Sequence, residues 1–292
     1  MSIQVVEIKS WIHLNEAIFE GSWREEIRRF RFNHVFRGLP GTSYRLTTGL
    51  NRLQHPPDLT RNIEKMLLVS FKRYAHRSAA EGTSDWNWLA LAQHHGLPTR
   101  LMDWTYSPYA ALHFAVGEIP NHQEDGVIWQ VSDKSVHQHL PENLKDKIQE
   151  EGYSIISVDV LSRVAPTLTK FDSLKSPDSG TFALFFEPPS LTERIINQSA
   201  LFSVLSDSTE VFDDWLESRD IACTRFIIPG KLKWEIRDKL DILNINERVL
   251  FPGLDGLSRW LKRYYSRPEY LDQMEDEPGA QSIANFDPTR SQ

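Results

Sequence analysis

The sequence predicts a single α+β domain with a helical first half and a strand-rich second half. Segments with apolar residues at helical spacing dominate up to residue 117, and short apolar runs dominate after Gly126. No Gly/Ser/Pro-rich linker separates the two halves, so we expect one domain over 1–266. The tail, 267–292, is acidic, rich in Pro and Gln and poorly periodic, which predicts disorder.

The predicted helices of the first half share apolar residues three or four positions apart. They cover 10–21, 60–78, 85–94 and 109–116. The first has Ser10 as its N-cap, and the last opens on Pro108, a residue favoured at the first helical position. Between the first two, alternating basic and apolar residues predict a strand that runs to Arg37 at its end.

The predicted strands of the second half are short apolar runs bounded by turn residues. They cover 126–132, 153–162, 180–188, 199–206 and 223–229. Two further helices are expected over 231–240 and 255–265.

Composition excludes several classes of protein. The 292 residues carry 33 Lys and Arg against 40 Asp and Glu, a net charge of −7, which argues against a mainly electrostatic nucleic-acid binder. The single cysteine, Cys223, excludes a disulfide framework and a multi-thiolate zinc site, and we expect it to be a buried small hydrophobe. No apolar run is long enough to span a membrane, so a cytoplasmic protein is expected.

The densest polar stretch is 93–104, followed directly by Ser107 and Pro108, and residues 96–108 are expected to form a loop between two helices. A helix N-terminus such as the one after Ser107 offers free backbone N–H groups to an anion. Arg100 could add a bidentate phosphate or carboxylate contact, or Asp103 could hold it in a structural ion pair. The sequence leaves these alternatives open.

Two adjacent histidines, His94 and His95, lie in the same stretch. Their side chains diverge by about 100° on a helix, whereas metal-binding pairs favour positions four apart. No metal site is therefore predicted, and one histidine is expected to face a ligand while the other packs inward. Arg45 and Arg52 are further candidates for phosphate contacts, or else surface charges.

Several separated motifs resemble those of the FRG domain family, named after a Phe-Arg-Gly tripeptide that is present here at 36–38. The similar segments are 34–38, 86–104, 107–115, 194–202 and 251–257, so the resemblance spans about 35–261. The family occurs in bacteria and phages, often beside defence or toxin-like genes.

The motif order is also similar to that of ADP-ribosyltransferases, which have a split sheet. These enzymes place an Arg or His at the end of the first core strand, a Ser motif on a second strand, and usually a Glu on a later one. The resemblance assigns the first role to Arg37 and the second to Ser107. The later motif offers Gln198, which cannot carry a negative charge, so Glu187 is the substitute for the catalytic acid.

The resemblance implies NAD as substrate. Arginines would bind its phosphates, Ser107 would fix the nicotinamide ribose or amide, and an aromatic side chain would stack on the ring. A carboxylate would stabilise the oxocarbenium-like transition state. The residues expected to bind it are Arg37, His94, His95, Arg100, Asp103, Trp104, Tyr106, Ser107 and Arg194.

Three functions remain open from the sequence. The first is an NAD-consuming ADP-ribosyltransferase-like enzyme, a toxin or effector in phage defence, whose acceptor is unknown. The second is a non-catalytic module that senses a nucleotide or nucleic acid, favoured by the missing acid. The third is a nuclease that uses Asp103 and one of the histidines.

Overall fold

A computed structural model, which describes residues 3–75, 84–118, 123–152, 155–174, 180–189 and 192–266, confirms the predicted α+β class. Helices and strands are interspersed along these residues, so the expected division into a helical first half and a strand-rich second half is not observed. The predicted tail lies outside the described residues.

Nine strands occur in the described residues: β1 (Gln4–Glu7), β2 (Trp23–Arg24), β3 (Arg29–Phe30), β4 (Val35–Leu39), β5 (Met102–Thr105), β6 (Gly126–Val131), β7 (Ala183–Phe186), β8 (Ala200–Leu205) and β9 (Cys223–Ile228). Seven of them form one mixed sheet in the order β1-β9-β6-β4-β5-β8-β7, and β2 pairs with β3 separately. Only β1 and β9 run parallel within that sheet.

Thirteen α-helices occur in the same residues: α1 (Trp11–Phe19), α2 (Pro57–Ala75), α3 (Asp85–His94), α4 (Pro108–Val116), α5 (Asp133–His137), α6 (Glu142–Glu150), α7 (Val158–Val164), α8 (Leu168–Asp172), α9 (Glu193–Asn197), α10 (Phe212–Ser218), α11 (Lys233–Ile242), α12 (Glu247–Leu250) and α13 (Leu254–Tyr264). Several begin at a serine whose hydroxyl accepts a backbone N–H, as Ser10 and Ser84 do for α1 and α3.

Two predictions of secondary structure are wrong. The predicted strand 153–162 is replaced by α7, because its buried valines and leucine fit a helix as well as they fit a strand. The segment expected to be a loop before Ser107 contains β5, in which Met102 and Trp104 are buried and Asp103 is exposed. That alternation is typical of a strand, but it extends over only three residues, because Thr105 is buried as well.

Helix α4 packs directly against β4. A Cβ atom added at Gly38 would lie 1.8 Å from the backbone oxygen of Ala111 on α4. This close approach places the start of α4 over the middle of the sheet. Phe36, Ile128 and Phe226 complete this face of the sheet and form one apolar cluster with α1, α4 and α11.

A buried charged network joins α4 to α11, α12 and α13. The guanidinium of Arg237 contacts the Nδ1 atom of His113 at 2.8 Å and donates to the Glu247 carboxylate, and Arg263 donates to the same carboxylate at 2.9 Å. His113 also bonds the backbone of Ile245. Burial, followed by the charge of Arg237, lowers the pKa of His113 to about 3.

We expect the protein to lose stability on acidification because of this histidine. An unfolded chain takes up a proton at His113 near pH 6.5, whereas the folded chain holds it neutral to about pH 3. Between these two pH values, each unit by which the pH falls lowers the free energy of unfolding by up to about 1.4 kcal/mol. The free energy of unfolding, measured with urea at several pH values from 7.5 to 4, should fall less steeply with pH in His113→Gln than in the wild type below pH 6.5. Above pH 6.5 the two proteins should show the same dependence on pH. Equal slopes throughout would contradict the prediction.

Candidate functional site

The sheet is nearly split between β4 and β5. One residue pair, Phe36 with Thr105, joins these strands, whereas β4 pairs with β6 along its whole length. Arg37 lies in the middle of β4, not at its end as predicted, and its Nη1 atom donates to the backbone oxygen of Asp103. The side chain of Arg37 therefore bridges the two strands where their ladder stops.

The guanidinium of Arg37 is only partly satisfied. Its Nε atom is buried and has no hydrogen-bond partner among the described residues. Burial lowers the pKa of Arg37, and the nearby Asp103 carboxylate partly offsets this effect. A buried donor without a partner is costly, so this group favours an acceptor supplied from outside the chain.

Asp103 connects β5 to the end of α3. Its carboxylate accepts a hydrogen bond from Gln93 Nε2 at 2.8 Å, and Gln93 Oε1 accepts one from Thr99 at 2.6 Å. These bonds hold the loop after α3 against the strand.

The two histidines close α3. His94 is its last residue and half-buried, His95 is its exposed C-cap, and their rings meet edge to face at 5.2 Å. Burial lowers the pKa of His94, and the positive charge of Arg194 lowers it further. Of the two histidines, His94 is thus the one that lies near Arg194, and it is largely neutral.

Arg194 extends the same cluster from α9. Its guanidinium lies 5.0 Å from the centre of the Phe251 ring, and that of Arg259 lies 5.4 Å from the same centre. Burial lowers the pKa of Arg194, Asp103 raises it, and Arg259 lowers it. The Asp103 carboxylate thus acts on two arginines, Arg37 and Arg194, and Arg259 adds a third positive charge near Arg194.

A second group forms beyond the end of β5. Thr105 donates from its hydroxyl to the backbone oxygen of Gln198 at 2.6 Å and accepts from the backbone N–H of Ser107 at 2.9 Å. The Ser107 hydroxyl accepts the N–H of Ala110 at 3.2 Å and caps α4. The Gln198 amide donates to the backbone oxygen of Leu250 at 2.8 Å, so its side chain fixes α9 to α12.

Tyr106 and Glu187 meet at the same end of β5. Burial raises the pKa of Tyr106, and the negative charge of the nearby Glu187 carboxylate raises it further. Tyr106 is 39% exposed, so part of its ring remains open to a ligand. Glu187 follows β7, and its backbone is fixed by bonds to Ile156 and Val158.

Two predicted site residues lie in the interior instead. Arg100 is 4% exposed and forms ion pairs with Glu64 and with Asp172, the latter at 2.6 Å. The sequence offered a ligand or Asp103 as the partner of Arg100, whereas the observed partners are Glu64 and Asp172. Trp104 is 2% exposed and donates to the Ser203 hydroxyl at 2.9 Å, so it belongs to the core.

Arg45 and Cys223 lie outside both groups, whereas the positive charge of Arg52 acts on Arg37 and lowers its pKa. Arg45 pairs with Asp213 and Asp214, and Arg52 donates to the backbone oxygen of Thr47. Cys223 is buried as predicted, and burial raises the pKa of its thiol to about 11. A thiol protonated at neutral pH is a poor nucleophile.

The structure thus brings most predicted site residues to the two ends of β5. Arg37, Asp103, His94 and Arg194 form one group; Tyr106, Ser107, Glu187 and Gln198 form the other. Arg259 and Phe251 were not predicted. Phe251 lies in the motif 251–257, which was its only signal in the sequence.

The described residues do not contain a group of three or more His, Cys, Asp or Glu side chains that could hold a metal ion. Among the helices of the described chain, none has both the length and the apolar composition needed to cross a bilayer.

The arrangement defines a mixed α+β domain whose motif residues gather around an arginine in the gap between two central strands. Residues 32–124 match the model of the FRG domain family, so this chain carries an FRG domain over that range. The matched range includes β4, α2, α3, β5 and the whole of α4, and with them Arg37, His94, Asp103 and Ser107. No curated protein and no solved structure gives a significant match.

Proposed function

We propose that this protein binds NAD at the two ends of β5 and cleaves its nicotinamide glycosidic bond, as an ADP-ribosyltransferase-like enzyme. The observation that carries the proposal is the guanidinium of Arg37, whose Nε atom is buried without a partner in the gap between β4 and β5. Arginine binds phosphate through paired, charge-assisted hydrogen bonds. Arg194, on which Asp103 also acts, adds a second positive charge for the diphosphate.

The shape of the site suits an extended ligand. Asp103 lies within β5 and Ser107 lies two residues beyond its end, so the two groups are separated along the strand. A ligand that contacts both groups must be long, and a dinucleotide satisfies this requirement. In the proposal Tyr106 packs on the nicotinamide ring, and Ser107 contacts its ribose.

The carboxylate at the second group supports the chemical step. Departure of nicotinamide leaves positive charge on the ribose, which a nearby carboxylate stabilises. Glu187 is a carboxylate that lies close to Tyr106, whereas the Gln198 amide is uncharged and bound to the backbone of Leu250. We therefore assign the electrostatic role to Glu187. In a phage-defence or toxin setting the ADP-ribosyl group would pass to a protein or nucleic-acid acceptor.

The test is release of nicotinamide from labelled NAD by the purified chain, with and without protein and RNA acceptors. Arg37→Ala should lower the rate by at least about 100-fold, the size of effect seen when a transition-state donor is removed. Its melting temperature should stay within a few degrees of the wild type. Arg61→Ala, which removes surface ion pairs with Asp58 and Asp207, is the matched control and should keep the wild-type rate.

Wild-type protein that is folded but neither releases nicotinamide nor transfers label to any acceptor would contradict the enzyme proposal. The Gln198 amide, which is uncharged and bound to the backbone of Leu250, favours one alternative, a module that binds a nucleotide without turnover. In that case NAD would raise the melting temperature of the wild type, as any ligand of the folded state does, and Arg37→Ala would abolish the rise.

A further inference from the structure

A groove lies between α1 and the three strands at one edge of the sheet, β1, β9 and β6. Its volume is about 760 Å³, within the roughly 300–1,000 Å³ of small-molecule sites. Gln130, which lines the groove, is the register partner of Phe36, the neighbour of Arg37. Because neighbouring side chains of a strand point to opposite faces, the groove lies on the other face of the sheet from Arg37. It is therefore separate from the candidate site.

The floor of the groove is a polar row in a face of the sheet that is otherwise apolar. Register places Gln4 beside Thr224 and Thr224 beside Gln130, so the three side chains share one face and span two strand spacings, about 10 Å. Two positions along the same strands, the corresponding row is apolar and packs in one cluster with α1. Hydrogen-bonding side chains thus replace apolar ones where the groove opens.

The polar groups of this row are unpaired and accessible. None of the three side chains forms a hydrogen bond within the described part of the chain. Gln130 is only 9% exposed, yet neither polar atom of its carboxamide is among the unpaired side-chain atoms that are sealed from solvent. The groove that it lines therefore gives access to this carboxamide. Buried amides are almost always paired, so the row favours a ligand that forms hydrogen bonds.

The wall that α1 supplies is negative. Glu16 and Glu20 line the groove, and neither forms an ion pair with another described residue. The described residues that line the groove include no lysine or arginine. The C-terminal end of a helix favours a cation, but the last turn of α1 contains no basic residue. The Nδ1 atom of His13, also in this wall, accepts the backbone N–H of Lys9 at 3.2 Å, as only an uncharged ring can.

We infer that this groove binds an aliphatic polyamine, a methylene chain that carries two or more ammonium groups. Glu16 and Glu20 are one helical turn apart, so their Cβ atoms are separated by about 5–6 Å and suit two ammonium groups joined by a short methylene chain. Further N–H groups of the ligand donate to the oxygens of Gln130 and Thr224. Two carboxylates without a counter-charge disfavour an anion. The inference does not depend on the proposed function.

Calorimetric titration of the whole chain with spermidine tests the inference. Spermidine should bind saturably at millimolar concentration or below, and more weakly as salt is added, because salt screens exposed charges. Octanediol has a comparable chain without charge, and it should bind at least about tenfold more weakly, or not at all. Trilysine carries its ammonium groups on a peptide, and it should bind no more tightly than spermidine.

Two double variants separate the groove from the general negative charge of the protein. Glu16→Gln with Glu20→Gln should weaken binding of spermidine at least about fivefold. Asp146→Asn with Glu150→Gln removes two exposed carboxylates at the same spacing on α6, neither of them ion-paired within the described residues, and should bind within about twofold of the wild type.

Gln130→Leu tests the floor of the groove. It should weaken binding of spermidine at least about threefold, because the ligand loses a hydrogen-bond partner. Thermal melting should show no loss of stability, since leucine extends the apolar row and leaves no donor or acceptor unpaired.

The inference is overturned if spermidine does not saturate the wild type, or if octanediol or Gln130→Leu shows no weakening. It is equally overturned if the two double variants lose binding to the same degree, which would show attraction by net charge only. Tighter binding of trilysine would assign the groove to a basic peptide instead of a polyamine.

Discussion

Arg100→Met should lower the free energy of unfolding by about 3–5 kcal/mol, the range typical when one partner of a buried ion pair is removed. Arg100 and Glu64 are both at most 5% exposed, and Asp172 binds the same guanidinium. Burial opposes the charge of Arg100, but the hydrogen bonds that it donates to both carboxylates raise its pKa. Methionine fills much of the same volume but leaves the Glu64 carboxylate buried without a counter-charge. Urea unfolding at pH 7 measures the loss.

Two further variants separate this effect from a loss of packing. Arg100→Met combined with Glu64→Leu removes both charges and should recover much of the stability lost in the single variant. Lys145→Ala breaks an exposed pair with Glu142 and should cost less than about 1 kcal/mol. A double variant as unstable as Arg100→Met alone would show that the ion pair is not the cause.

Gly38→Ala should destabilise the protein by at least about 3 kcal/mol, at the upper end of what overpacking costs. The new methyl group would lie 1.8 Å from the Ala111 oxygen and 2.8 Å from the Ala115 nitrogen. Both are backbone atoms of α4, so no side-chain rotation relieves the clash and the helix must move off the sheet. The glycine of the Phe-Arg-Gly tripeptide is therefore required by packing.

Gly152→Ala is the comparison for this prediction. Gly152 has a φ of +70° and no atom within 4 Å of an added Cβ, so its replacement costs only the backbone strain of about 1–2 kcal/mol. Urea unfolding of the two variants should rank Gly38→Ala as clearly less stable. A Gly38→Ala protein within 1 kcal/mol of the wild type would show that α4 can shift without loss.

Much of the local structure could be predicted because its signals are local. Apolar spacing predicted α3 with its observed bounds, and Pro108 marked the first residue of α4. The segment that became α7 could not be predicted, because a short apolar run fits either period and its packing partners are distant in sequence.

The candidate site could be predicted only in part, for the same reason. The motifs identified Arg37, His94, Asp103 and Ser107, all within the range that matches the FRG domain. They did not distinguish Arg100, three residues before Asp103, as an interior ion pair, because its partners Glu64 and Asp172 lie 36 and 72 residues away.

By itself the sequence determined the α+β class, the absence of thiol chemistry beyond Cys223 and the resemblance to the FRG domain, since composition, spacing and motifs are properties of the chain alone. Only the tertiary structure decided which arginine is buried in ion pairs and which one, Arg37, bridges the gap between β4 and β5 with an unpaired donor. The physical reason is that the two arginines are chemically equivalent in the unfolded chain. Folding makes them different, because it removes each from water and gives each its own partners.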